Sequence, residues 1–205
     1  MKTSFTFKTS LIFAALLSLS VAQAANISKD EYKAGKTRIS ADYKTDKAAC
    51  DALTANGKDV CVAEAKAKEK VARAELEFSY TGKPKDQTKV AVAMAESAYA
   101  VAKEKCDDQT GNAKDVCVKE AKAVEVKALA DAKLGKKIGE AVGDANETKS
   151  DANAKLGKKI GEAKVDAVDA KADANYKVAA EKCDALAGDA KASCMAAAKA
   201  KFGKN

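Results

Sequence analysis

The chain has no histidine, no tryptophan and a single proline, and it is poor in large aliphatic residues. Each absence removes a class of function. Without histidine, a Cys or Ser nucleophile lacks its usual activating base, and a mixed Cys/His zinc site cannot form. Of the 181 residues after position 24, 26 are Leu, Ile, Val or Phe. That is about 14%, below the roughly 20% at which an ordinary core becomes doubtful. The 47% hydrophobic share overstates the apolar content, because 47 of the 205 residues are alanine. An apolar pocket with convergent polar groups cannot be walled from such a composition. No glycine-rich strand-to-helix loop and no metal cluster is visible either. The expectation is a chain with no catalytic residue, no cofactor-binding residue, no metal site and no enzymatic activity.

Long apolar runs are also missing, with one exception at the start. Lys2 and Lys8 precede "LIFAALLSLSVA" (11–22), and "AQA" (22–24) puts small residues at −3 and −1 of a cut after Ala24. This is the pattern of an export leader, too short to span a bilayer comfortably. Cleavage after Ala24 and export are therefore expected, with the periplasm as first destination and secretion or the cell surface as alternatives. Export bears on the six cysteines: an even count in an exported chain favours disulfides over free thiols.

Charge of one sign does not dominate. Residues 1–24 carry two lysines and no acid, so 35 basic and 30 acidic residues remain. The two signs are interleaved and aromatics are few, so the chain has none of the basic stripe of a nucleic-acid binder.

What is present is helix-forming. Alanine, lysine and glutamate abound, and β-branched clusters are rare. "SKDE" (28–31) has the Ser-x-x-Glu spacing of a capping box and predicts a helix to about Leu53. Its larger apolar positions are Tyr32, Ile39, Tyr43 and Cys50. A second helix is expected from near Asp59 to about Tyr80, with Val60, Ala67, Val71, Ala74 and Phe78 on one stripe. "TGKPKD" (81–86) holds the only proline and reads as a linker. A third helix is expected from Gln87 to Asp108, carrying Val90, Met94 and Val101. A fourth starts near Ala113 and meets no strong stop for some seventy residues.

Inside that stretch lies a tandem repeat. "AKLGKKIGEAVGDANETKSDAN" (132–153) is followed by "AKLGKKIGEAKVDAVDAKADAN" (154–175), with the first ten residues identical. Twenty-two is twice eleven, a period close to whole helical turns. Leu134, Ile138 and Val142 form a weak stripe, echoed by Leu156 and Ile160. Five glycines (135, 139, 143, 157 and 161) each cost about 1 kcal/mol relative to alanine in a helix interior. This segment is therefore expected to be the least stable, bent or broken.

A third pattern recurs three times: Tyr, six residues, Cys-Asp, nine residues, Cys, starting at Tyr43, Tyr99 and Tyr176. On one straight helix, cysteines eleven apart would sit ~16 Å from each other. A disulfide needs Cα atoms within about 7 Å. Each pair can join locally only if the chain reverses, and Asn56-Gly57, Gly111-Asn112 and Gly188-Asp189 supply residues that tolerate positive φ. The module reads as a stapled helical hairpin. Six cysteines allow fifteen pairings, and three equal spacings favour Cys50–Cys61, Cys106–Cys117 and Cys183–Cys194. A thiol-based metal or redox role is the competing reading, with neither Cys-x-x-Cys spacing nor histidine to carry it.

Over the chain beyond residue 24, "YKAGKTRISADYKTDKAACDAL", "KDVCVAEAK" and the repeated "EKCD" phrases resemble a family of small, exported, Ala/Lys-rich proteobacterial proteins described as cell-surface or Tol-like envelope proteins. The resemblance implies a place in the cell envelope and brings no catalytic residue with it. Residues 132–175 also resemble the 11/22-residue repeats of late-embryogenesis-type stress proteins and exchangeable apolipoproteins. That likeness implies a helix able to lie on an anionic membrane surface, with Lys133, Lys136 and Lys137 beside the apolar stripe.

The sequence thus predicts an all-α protein of elongated helical hairpins, three of them each clamped by a local disulfide, with one long or broken Gly-interrupted helix. Its expected parts are a leader (1–24), a first hairpin (25–80), a linker (81–86), a second hairpin (87–131), the repeat arm (132–175) and a short third hairpin (176–205). The expected role is a structural, interaction or stress-protective envelope module. Its partner would be an envelope protein or an anionic membrane surface, not nucleic acid.

Overall fold

A computed structural model describes residues 26–147 and 152–204 of the chain. The expected leader and its cleavage after Ala24 lie outside the described residues. Six α-helices follow one another: α1 (Lys29–Ala49), α2 (Ala55–Thr81), α3 (Pro84–Cys106), α4 (Gly111–Glu147), α5 (Ala152–Cys183) and α6 (Gly188–Phe202). A 3-10 turn, Cys50–Ala52, extends α1. No strand occurs among the described residues.

Local signals explain several boundaries. The Ser28 backbone N–H donates to Glu31 Oε2 (2.8 Å), and the Glu31 N–H donates to Ser28 Oγ (3.2 Å), which completes the capping box. α2 stops where Gly82 turns left-handed at φ 61° and its N–H bonds the Phe78 carbonyl. The linker is shorter than the proline implied. Pro84 sits in the first turn of α3, where its missing N–H removes no helical hydrogen bond. Asp86, expected in the linker, is instead buried at 2% exposure. The Thr81 hydroxyl donates to its carboxylate (2.6 Å), and Lys89 Nζ lies 2.8 Å from the other oxygen. Lys89 and Thr81 together hold this carboxyl below the usual carboxylate range.

Among the described residues, each helix packs only against its neighbours in sequence. Cross-helix pairs show that neighbours run antiparallel: between α4 and α5, Lys119 meets Glu181, Asp131 meets Lys171, and Lys137 meets Asp166. The described residues therefore form a single pleated row of helices with no second layer among them.

Every fully buried apolar side chain among the described residues is alanine or cysteine. Alanine seams let helix axes approach near the short end of the ~8–10 Å range, and dispersion between close backbones replaces large side chains. Ile39, Tyr43, Val60, Val71 and Phe78 are half-buried along the seams, as their spacing predicts. Met94 is not: it is 47% exposed, while Ala93, Ala95 and Ser97 are buried. α3 lies between α2 and α4, so two of its faces are covered and small residues fill both.

The repeat segment folds back on itself. Its first copy lies largely on α4 and its second on α5. Leu134, Ile138, Leu156 and Ile160 are half-buried, with Ala141 and Ala163 fully buried beside them. Val142, expected on the stripe, is 44% exposed, and alanine takes the seam.

Candidate functional site

Because helices alternate in direction, the three reversals after α1, α3 and α5 lie along one side of the row. Each carries a disulfide: Cys50–Cys61, Cys106–Cys117 and Cys183–Cys194, with Cα separations of 5.6, 5.7 and 5.6 Å. No cysteine is free. As disulfides these sulfurs do not present thiolates, the form in which cysteine binds metal or attacks an electrophile.

The three reversals share more than sulfur. Cys50, Cys106 and Cys183 are buried. Three residues on, the N–H of Leu53, Gln109 and Leu186 bonds back to the cysteine carbonyl at 3.0 Å each. The Asp after each first cysteine meets a lysine three residues before the second. Asp51–Lys58 is 2.8 Å, Asp107–Lys114 is 3.1 Å and Asp184–Lys191 is 3.0 Å. The hydrogen bond from Lys58 holds the Asp51 carboxyl below its ordinary range and pushes the lysine up. Each pair closes the loop electrostatically where the disulfide closes it covalently.

One detail departs from expectation. The left-handed residue is not at Asn56-Gly57 in the first module. It is Ala55, at φ 50°, in register with Gly111 (φ 57°) and Gly188 (φ 56°). All three stand five residues after the first cysteine and open the return helix rather than end the outgoing one. Counting from the cysteine would have located it; counting glycines does not. Gly57 itself sits inside α2 with open space around it.

Tyr43, Tyr99 and Tyr176 are half-buried two turns before their clamps. Lys122 Nζ lies 4.7 Å over the Tyr99 ring and 2.5 Å from the buried Glu125 carboxylate, which raises the lysine's pKa. This is a cation held between a ring face and a carboxylate.

The spaces between helices are open grooves. One, of about 470 Å³, lies between α2 and α3 and is lined by Val62, Lys66, Tyr99 and Lys103 among others. Another, of about 680 Å³, separates α5 from α6 beside Val178 and Phe202. Among the described residues, no group of three or more His, Cys, Asp or Glu is placed to hold a metal ion. No helix among them is long and apolar enough to cross a membrane. Comparison with protein-family models, curated proteins and solved structures gives no match.

Proposed function

We propose that this chain is an exported, non-enzymatic envelope protein that acts as a helical interaction or stress-protective module. The observation that supports it most is the replacement of a core by covalent clamps: the buried apolar side chains are alanine and cysteine, and three disulfides close the hairpins. A row one helix thick exposes most of its surface for its length, which suits contact and shielding better than enclosing a substrate. Export fits the disulfides, which persist in oxidising compartments. The test is a strain lacking the chain, challenged with membrane-active detergent and thiol oxidant. Greater sensitivity, restored by the wild-type chain and not by one with all six cysteines changed to serine, is expected. Sensitivity equal to the parent under both challenges defeats the proposal.

A lipid-surface role is the second reading, favoured by one observation. Val124, Val165 and Val168 on α4 and α5 are 61%, 59% and 63% exposed, on helices rich in lysine. The Leu134/Ile138 and Leu156/Ile160 stripes face the α4–α5 seam, so lipid binding through them requires that seam to open. The chain from residue 25, floated with vesicles containing phosphatidylglycerol, should rise with them; recovery equal to that with neutral vesicles ends this reading.

A further inference from the structure

The seams that join one clamped hairpin to the next share an interlock. In the α2–α3 seam, Asn56 Nδ2 donates to the Glu104 carbonyl (2.9 Å), and Glu64 pairs with Lys105 (2.8 Å). In the α4–α5 seam, Asn112 Nδ2 donates to the Glu181 carbonyl (3.4 Å), and Glu120 pairs with Lys182 (2.5 Å). Measured from the first cysteine of each module, these are the same positions. Asparagine stands at +6 and glutamate at +14 on the trailing helix; the carbonyl belongs to −2 and the lysine to −1 on the leading helix of the next module. The interlock survives although the first cysteines are 56 residues apart in one case and 77 in the other. The 22-residue repeat lengthens α4 and α5 without disturbing it.

The outward edges of the row break this pattern at the positions that would matter. The leading edge of the first module has Ala49 at −1 where the other modules have lysine. The trailing edge of the third module has Asp189 at +6 in place of asparagine, and Ala197 at +14 in place of glutamate. All three are exposed. A second copy adding head to tail would find no counterpart of the Glu–Lys pair that closes the interior seams. It would also set the Asp189 carboxylate, which only accepts, against a backbone carbonyl, which also only accepts.

We infer that α1 and α6 are finishing edges: the lost interlock residues stop copies of the chain from joining end to end. A heterologous contact of this kind makes open fibres when it is complementary, so the edges are where a repeat protein must be altered to stay discrete. The inference does not depend on where the protein works.

Grafting the interlock onto the edges tests it. The oxidised chain from residue 25 should sediment as one copy from micromolar to near-millimolar concentration. The triple variant Ala49→Lys/Asp189→Asn/Ala197→Glu should associate at least tenfold more tightly, giving a ladder of masses that collapses in high salt. Head-to-tail ladders from the unaltered chain overturn the inference, and so does a triple variant no more associative than the parent. If the triple variant fails to fold, the interior pair Asn56→Ala/Glu64→Ala tests the interlock on which the inference stands. Faster amide exchange at the facing ends of α2 and α3, with all three disulfides intact, supports the interlock; unchanged exchange overturns it.

Discussion

The α1–α2 hairpin and the α4–α5 pair are both antiparallel helix pairs, yet they are held in opposite ways. α1 and α2 are pinned at both ends. Cys50–Cys61 and Asp46–Lys68 (2.8 Å) secure one end. At the other, Tyr32 stacks on Tyr80 with ring centroids 4.4 Å apart, and the Ile27 N–H bonds the Ser79 carbonyl at 3.1 Å. Gly35 lets α1 sit against Leu76, whose Cδ1 would lie 2.6 Å from an added Cβ. α4 and α5 share a longer seam, and no disulfide joins them to each other. Alanines, half-buried Leu and Ile, and exposed ion pairs hold them. Gly135, Gly139, Gly157 and Gly161 have nothing within 4 Å of an added Cβ, so packing within the chain makes no use of these glycines. One pair is locked by covalent and aromatic contacts; the other is long, reversible and weakened by its own sequence.

The largest test of this contrast is reduction. Each clamp closes a loop of about twelve residues and contributes roughly 2–3 kcal/mol, model-dependent, so removing all three should take away about 6–9 kcal/mol and abolish cooperative melting. Circular dichroism with and without reductant measures it; a melting temperature unmoved by verified reduction means that the seams alone hold the fold. Alkylation of the unreduced protein should modify no cysteine by intact mass.

Next comes the glycine set. Changing the four open glycines to alanine should stabilise the chain by about 1 kcal/mol each, because helix propensity rises and nothing clashes. Amide exchange along α4 and α5 should then approach that of α1 and α2. Destabilisation would mean that the backbone there needs glycine for a reason absent from the packing.

A smaller effect belongs to the left-handed residues. Ala55→Gly should stabilise the first clamp by about 1 kcal/mol, and Gly111→Ala or Gly188→Ala should destabilise the others by about as much. Equal and negligible shifts in urea midpoint for all three would show that the turn is not strained.

The smallest effects are electrostatic. Molar salt should speed amide exchange in the α4–α5 seam before α1–α2, by the fraction of a kcal/mol that exposed pairs supply. On the acid side, Asp51, Asp86 and Asp166 have lowered pKa values in the fold, chiefly from hydrogen bonds with Lys58, Lys89 and Lys137. Their contribution is fully present above the ordinary carboxylate pKa and lost as pH falls through the lowered values. Melting temperature should thus be flat near neutrality and fall below about pH 4. On the alkaline side, the hydrogen bond to Glu77 raises the Tyr32 pKa, so its contribution is complete below the ordinary tyrosine value and lost above it. A thermal scan across pH that declines at neutral pH instead would contradict both signs.

Much of this architecture was legible in the residues. The all-helical class follows from Ala/Lys/Glu content. The capping box at Ser28 follows from a four-residue pattern. The local disulfides follow from spacing too long for one helix turn and too regular for chance. Several features were hidden because they depend on what lies across a seam. Asp86 is buried where the Thr81 hydroxyl donates to one oxygen and Lys89 pairs with the other, and sequence order does not show that. Met94 is exposed because α3 is covered on two sides, which a one-stripe reading cannot anticipate. The fold-back of the tandem repeat, which turns an apparent amphipathic arm into a seam, needed the position of the break between α4 and α5. The Asp–Lys loop pairs and the Asn/Glu interlock were readable in principle, by aligning all three modules on their first cysteine.

The position of the clamps also has a mechanical consequence. All three sit at the apex of a hairpin, so tension applied between the start of α1 and the end of α6 would peel each hairpin from its open end toward a covalent stop. The ten residues between each pair of cysteines cannot be paid out, which removes roughly 35 Å of extensible length per clamp at ~3.5 Å per residue. Under load in an oxidising compartment, the chain would lengthen by parting its helices and arrest with its three loops still closed, ready to re-zip from the same points.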